Sequence, residues 1–485
     1  MALFDRRLLA YFDDGGFGSG TFHDRIVDYQ QVRNETAKVA FITDCEGNFE
    51  YWMRCVEMSS VVCWDSGKLE FANSSDTFVF GGDVFDKGTG DLRIAQQLVH
   101  FKQRYPERVH LLAGNRDVNK LRLPAELAEG DIDVPQPVPA YRGAPPPVAF
   151  RSFLEAQQQR EGAESLEAVN TRAARLRWIL DHTMTAPGAF EHRRQELALL
   201  GSVPAESIAD DDVVQSFLSS VQDGGLVWEY LCHSCLMVVI GPWLFVHGGI
   251  PKAGIGWVPT QDMRFLLPKE GGSVGAYLKL GCSLSEWVAA TNLRFKDGLE
   301  DFRSQMLWRA DRSRGGESLL CLTNLPSCLG RSVMVHSLLE GGMPTMPESD
   351  VEEFLRQGGV KAVFCGHKPC GDSPFVVHGS QTSFIHCDTT YSDSTAPDRR
   401  GRSVASVEAF VMVQEVRFRG VLADGRQYDF MLFGGPNADE LVGRRIDGVW
   451  VKARLLDGSY HVVSGDGARR LSYATRTESE IRSSM

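Results

Sequence analysis

The chain has 485 residues, 43% hydrophobic and 24% charged, the balance of a soluble globular protein long enough for more than one structural unit. Its net charge of -12 argues against nucleic acid or an acidic membrane surface as the main partner. The longest apolar run, "LMVVIGPWLFV" (236–246), is about half of what a bilayer span needs, so no membrane-crossing helix is expected.

In chain order, residues 1–37 read as an N-terminal extension in which no secretory signal is recognised. "KVAFIT" (38–43) is a near-continuous apolar run, as in a strand covered on both faces, and it ends on Asp44 and Glu46. "TFVFGG" (77–82) repeats the pattern and runs into Asp83, Asp86 and Lys87. Ile94, Leu98, Phe101 and Tyr105 then recur at helical spacing, and "RVHLLAG" (108–114) follows as a third strand before Asn115, Arg116 and Asp117. Strand, helix, strand predicts a layered α/β core, with 38–120 as its first part.

Residues 121–149 hold 7 of the 21 prolines and read as a linker or surface excursion without regular structure. Leu166, Val169, Ala173, Leu176 and Leu180 open a helical segment reaching about 222, so 121–235 is expected to be an insertion. "CHSC" (Cys232, Cys235) lacks a second pair at zinc spacing and reads as two buried thiols beside a strand. Eleven scattered cysteines favour reduced thiols in an intracellular, cytoplasmic setting. "LMVVI" (236–240), "WLFVHGG" (243–249) and "VKAVFCG" (360–366) complete the strands of a second core part, 236–400, which holds a further insertion at about 255–355. In 401–485, "VLADGRQYDF" and "RLLDGSYHVV" place Asp-Gly between alternating apolar positions, a hairpin signal. "TRTESEIRSSM" reads as a frayed tail.

Five strand exits thus deliver carboxylates, an amide and two imidazoles, His247 and His367, to one sheet edge. Those donors suit Mn, Fe, Zn or Mg, and the accompanying glycines let backbone approach a phosphate. His233, His336, His378 and His386 have no such context and read as structural. Asp388 follows a strand and is a candidate either to support a metal ligand from behind or to replace one.

In the order D-x-E, GGDVFDKG, GNRD, HGG, GHKP, the chain resembles the calcineurin-like metallophosphoesterase superfamily, closest to its phosphoprotein-phosphatase branch. The resemblance implies an α/β fold: a four-layer β-sandwich flanked by helices, here with a helical insertion and a β-rich C-terminal segment. It also implies two divalent metal ions bridged by an aspartate and a hydroxide that attacks a phosphate ester or anhydride. By that resemblance Asp44 and Glu46 match ligands of the first ion and Asp83 the bridge, while Asn115, His247 and His367 match ligands of the second.

Three departures follow from the same comparison. Glu46 stands where the family has an imidazole, which would favour harder ions such as Mn or Mg. "GHKP" lacks the second histidine that many members supply to the first ion. Arg116 replaces the histidine thought to protonate the leaving group, and a guanidinium stays charged at neutral pH. Arg116 can pair with Asp86 and lend charge to the phosphate, which points to substrates with good leaving groups. Lys87 and one of Arg309, Arg312 and Arg314, with Arg314 the first choice, are candidate phosphate binders. The implied partner is a phosphorylated protein or small molecule, including a nucleotide of the diadenosine-tetraphosphate kind, with no nucleic acid and no membrane expected. A catalytically silent scaffold on the same fold is the alternative.

Overall fold

The computed structural model describes residues 37–128, 148–259, 275–279, 281–309, 315–323, 328–389, 402–465 and 471–485. The expected apolar runs form strands. In the first sheet β1 (Lys38–Ile42), β2 (Thr77–Phe80), β3 (Val109–Leu112) and β4 (Ser234–Cys235) lie parallel and adjacent. The second contains β5 (Met237–Ile240), β6 (Trp243–Val246), β7 (Ala362–Cys365), β8 (Phe375–His378) and β9 (Ser383–His386) in the order β8-β9-β7-β6-β5. Its central strands β6, β7 and β9 are parallel, and the antiparallel β5 and β8 form the edges. The chain then returns to the first sheet. There β10 (Val404–Phe410), β11 (Glu415–Val421) and β12 (Gln427–Leu432) give the order β12-β11-β10-β1-β2-β3-β4, with β10 antiparallel to β1.

Side chains alternate across each strand, and both faces of both sheets are covered. Val39, Phe41, Val79 and Leu112 meet Trp243, Phe245, Phe364 and Ile385 between the sheets. The Phe41 ring lies 5.5 Å from Phe245 and 6.0 Å from Phe364. On the outer face Phe78 and Phe80 pack under α1 (Phe49–Met58) and α2 (Asp91–Arg104), with Trp52 at 5.9 Å from Phe80 and Phe101 at 5.9 Å from Phe78. Leu244, Val246 and Val363 join Trp287, Phe295 and Leu355 from helices Leu284–Ser304 and Ser349–Gln357. The result is helices, sheet, sheet, helices, the layered α/β sandwich.

After β3 comes the short α3 (Asn115–Asn119), then helices that include Phe150–Glu161, α4 (Ala189–Gly201), Asp210–Ser220 and Leu226–His233. The start of the proline-rich stretch is not irregular. Leu123–Glu126 is a buried helical turn with Pro124 in its first turn, where the missing N–H would have had no partner. Residues 129–147 lie outside the described ones.

Both Asp-Gly turns form as expected: Val421 pairs with Gln427, and Arg454 with Tyr460. The second hairpin belongs to a separate antiparallel sheet of Arg445–Ile446, Val449–Arg454, Tyr460–Gly465 and Leu471–Arg476. The expected frayed tail is instead a helix, Glu478–Ser483. Thr477 accepts from the Glu480 N–H, Glu480 accepts from the Thr477 N–H, and Ile481 is buried. Cys232 and Cys235 are half-buried rather than buried: Cys232 lies near the end of helix Leu226–His233 and Cys235 on the short edge strand β4. No described helix is long and apolar enough to cross a membrane.

Candidate metal centre

The ends of β1, β2 and β3 and of β6 and β7 bring Asp44, Asp83, Asn115, His247 and His367 to one edge. The turns that do this are strained. Asp44, Glu46, Asp83 and His367 have φ of 52°, 44°, 56° and 68°, a left-handed region costly for residues with a Cβ. Close approach supports them: a Cβ on Gly366 would lie 1.9 Å from Asp44 Oδ2, and one on Gly82 (φ 97°) 2.9 Å from the His247 ring. Asp117, fully buried, ties two of these turns together. Its carboxylate accepts the N–H groups of Asp83 (2.9 Å), Val84 (2.8 Å), Phe85 (3.1 Å) and Gly114 (2.9 Å).

Asp83, His247 and His367 offer donor atoms all within 4.8 Å of one another. Asn115 Oδ1 sits among them, 3.1 Å from His247 Nε2 and 2.8 Å from His367 Nδ1, while His247 Nε2 is 3.4 Å from Asp83 Oδ1. Ligands about 2.1 Å from a tetrahedral or octahedral ion stand roughly 3.0–3.4 Å apart, so this set fits one divalent cation. His247 Nδ1 lies 2.8 Å from the Gly81 carbonyl and donates to it, which leaves Nε2 to ligate where an ion takes the place of its proton.

The electrostatics point the same way. Burial, then the Asp388 carboxylate, push Asp44 well above the usual carboxylate range. Burial opposes charge on His247, yet the Asp83 and Asp44 carboxylates outweigh it and push the ring up to about 10. Burial also works against an ionised Asp83, but His247 and then Arg116 hold it well below the usual range. Burial, with Lys368 beside it, drives His367 far below its ordinary value, a neutral ring suited to ligation. Carboxylates gathered this closely call for positive charge.

Part of that charge comes from the chain. Arg116 Nε stands 2.7 Å from Glu46 Oε1 and 3.7 Å from Asp83 Oδ2, and its guanidinium also bonds Asp86. Lys87 Nζ is 2.8 Å from Glu46 Oε2, and the buried Lys120 Nζ is 3.1 Å from Asp86 Oδ1. Burial tends to raise Glu46, but Arg116 and Lys87 hold it low. Arg116 and Asp86 pair, and Glu46 and Lys87 face each other across an ion pair. Lys120 was missed, although it lies one helical turn after Arg116.

Among other candidates, Asp388 is buried within electrostatic reach of Asp44. Arg309 is exposed, and Arg312 and Arg314 lie outside the described residues. His378 bonds Ser383 and the Val442 carbonyl, and His386 lies against Cys365. The insertion does reach the site loop: the His192 ring of α4 hydrogen-bonds the Lys87 carbonyl.

The model of the family "calcineurin-like phosphoesterase" matches residues 37–171. Among solved structures, a cold-active protein-tyrosine phosphatase of a psychrophilic Shewanella species is 14% identical over 81% of this chain and 80% of that one, with a TM-score of 0.40. A protein serine/threonine phosphatase from Saccharomyces cerevisiae is 11% identical over 78% and 74%, with a TM-score of 0.32. Both likenesses are too distant to bear on activity. No curated protein matches in sequence. The matched segment contains Asp44, Asp83 and Asn115 with the turns that carry them.

Proposed function

We propose that the chain is a metal-dependent phosphoesterase acting on a phosphate ester or anhydride with a good leaving group. The observation that supports this is the meeting of Asp83 and Asn115, from the segment that matches the calcineurin-like phosphoesterase model, with His247 and His367 at one point. A divalent ion held by these four would draw charge from a phosphoryl oxygen and acidify a bound water.

The chain's own groups set the substrate class. Arg116 and Lys87 put two fixed positive charges beside the cluster, each with a side chain 19% exposed and so within reach of an incoming phosphate. Arg116 keeps its proton at neutral pH, so it can neutralise a departing oxygen but not protonate it. An alkyl alcohol would leave slowly, by the roughly 10²–10⁴-fold that a general acid contributes, whereas aryl phosphates and phosphoanhydrides need no such help. The contact of α4 with the Lys87 loop favours a walled site and a small phosphate or nucleotide over a phosphoprotein.

The Glu46–Arg116 pair is also what a catalytically silent member would show. Hydrolysis of p-nitrophenyl phosphate with added Mn, wild type against Asp83→Asn, separates the two. A wild-type rate no higher than the variant's would end the enzyme reading. The leaving-group claim fails if Arg116→His leaves hydrolysis of an alkyl phosphate unchanged.

A further inference from the structure

Asp83 faces two ways. Its Oδ1 looks to His247 at 3.4 Å, into the histidine and asparagine cluster, while its Oδ2 looks to Arg116 Nε at 3.7 Å. A carboxylate that bridges two cations has this arrangement, except that one of the cations here is a guanidinium.

The other oxygens on that side are engaged too. Glu46 gives Oε1 to Arg116 at 2.7 Å and Oε2 to Lys87 at 2.8 Å. Asp86 takes Arg116 on one oxygen and Lys120, at 3.1 Å, on the other. Both Asp44 oxygens accept the His367 N–H, at 3.0 and 3.1 Å, and the Thr43 hydroxyl adds a bond to Oδ2. Arg116 is held in place from its backbone as well, since its N–H donates to Asp83 Oδ1 at 2.8 Å.

We infer that the chain binds one divalent ion, not two, and that the Arg116 guanidinium occupies the position of the other. The inference rests on the phosphoesterase reading above only in assuming that Asp83, Asn115, His247 and His367 hold an ion. Charge supports it. Asp44, Glu46, Asp83 and Asp86 bring four carboxylates, and Arg116, Lys87 and Lys120 bring three cations. One divalent ion is enough to neutralise what these seven groups leave. A second would have to enter beside a guanidinium and an ammonium already within about 3 Å of its ligands, and like charges at that range repel strongly in a buried site. Glu in place of an imidazole and Arg in place of a histidine are then one feature, a pair that inserts a permanent cation and the anion that holds it.

The test uses the full chain, stripped with chelator, reloaded with Mn and desalted. Elemental analysis is expected to give one Mn per chain, and electron paramagnetic resonance the six-line signal of an isolated Mn ion. The Glu46→His, Arg116→His double variant is expected to take up a second ion and show a spin-coupled signal. Arg116→Ala provides a smaller change, which should also raise the stoichiometry above one. Two Mn per wild-type chain with a coupled signal would overturn the inference and leave the phosphoesterase reading intact. A wild-type chain that holds no Mn would overturn both. Variants that fold, by circular dichroism, yet stay at one ion would overturn the role given to Arg116.

Discussion

Removing the Asp117 carboxylate should loosen the metal centre more than any other single change outside its ligands. Asp117→Ala strips the acceptor from four backbone N–H groups, those of Asp83, Val84, Phe85 and Gly114, at 2.8–3.1 Å. A buried donor left without a partner costs about 1–3 kcal/mol. The four sit on two adjoining turns that would relax together, so we expect about 3–5 kcal/mol rather than the full sum. Asp117→Asn offers a graded control. One carboxylate oxygen serves Val84 and Phe85 and the other Asp83 and Gly114, so an amide can satisfy only one pair and should cost roughly half as much. Since the same bonds fix Asp83 relative to Asn115, Mn affinity should fall about 10–100-fold in the alanine variant. Urea unfolding followed by tryptophan fluorescence and Mn titration by calorimetry measure the two effects. If Asp117→Ala unfolds at the wild-type urea concentration and binds Mn unchanged, Asp117 does not organise the site.

Four further outcomes are expected. Phe364→Ala opens the space between the sheets, where Phe364 stacks on Phe245 at 4.7 Å, and should cost about 3–5 kcal/mol in the same urea assay. Glu196→Ala removes the acceptor that caps the first turn of α2 through the Leu92 and Arg93 N–H groups (3.2 and 3.1 Å); it should cost about 1–2 kcal/mol and speed hydrogen exchange in α2, with Glu196→Gln less affected. Thr477→Ala should release the last helix at about 0.5–2 kcal/mol locally, read as faster tryptic cleavage at Arg482. His110 is pushed down to about 3 by burial and then by Lys102, so the folded state keeps it neutral where the unfolded chain protonates it. Its contribution is intact above its ordinary value of 6.5 and is lost as pH falls from there toward 3, about 2 kcal/mol being gone by pH 5; His110→Leu should flatten the pH dependence of the urea midpoint over that window.

The strands were legible because burial on both faces writes itself as unbroken apolar sequence: Val39, Ala40, Phe41 and Ile42 alternate between two cores, and neither core tolerates a polar side chain. The Asp-Gly hairpins were legible because the turn chemistry is local. The final helix carried a readable sign as well, Thr477 three residues before Glu480, but six residues of polar sequence gave no periodicity to notice. The role of Asp117 was hidden for another reason. Three of its four partners are main-chain groups 32–34 residues away, and a backbone N–H leaves no mark on the sequence that supplies it. Glu46 and Arg116 were each visible as a departure, but that they meet required the fold, since 70 positions separate them.

The insertion shows how far the site's construction extends beyond its ligands. Lys87 ends the loop that begins with Asp83, and α2 begins four residues later. The start of α2 is gripped by α4: Arg193 reaches Asp91 at 2.8 Å in a buried pair, Glu196 caps the first turn, and His192 bonds the Lys87 carbonyl. Burying an ion pair such as Arg193–Asp91 adds little net stability, because desolvation offsets most of the attraction. What it adds is position, since a shifted helix would strand two charges away from water. Three consecutive contacts therefore set where the loop from Asp83 to Lys87 lies, and with it the ammonium that Lys87 presents to Glu46. The helices that interrupt the sheet between β3 and β4 are thus not an appendage: they are part of what holds the cations of the centre in register.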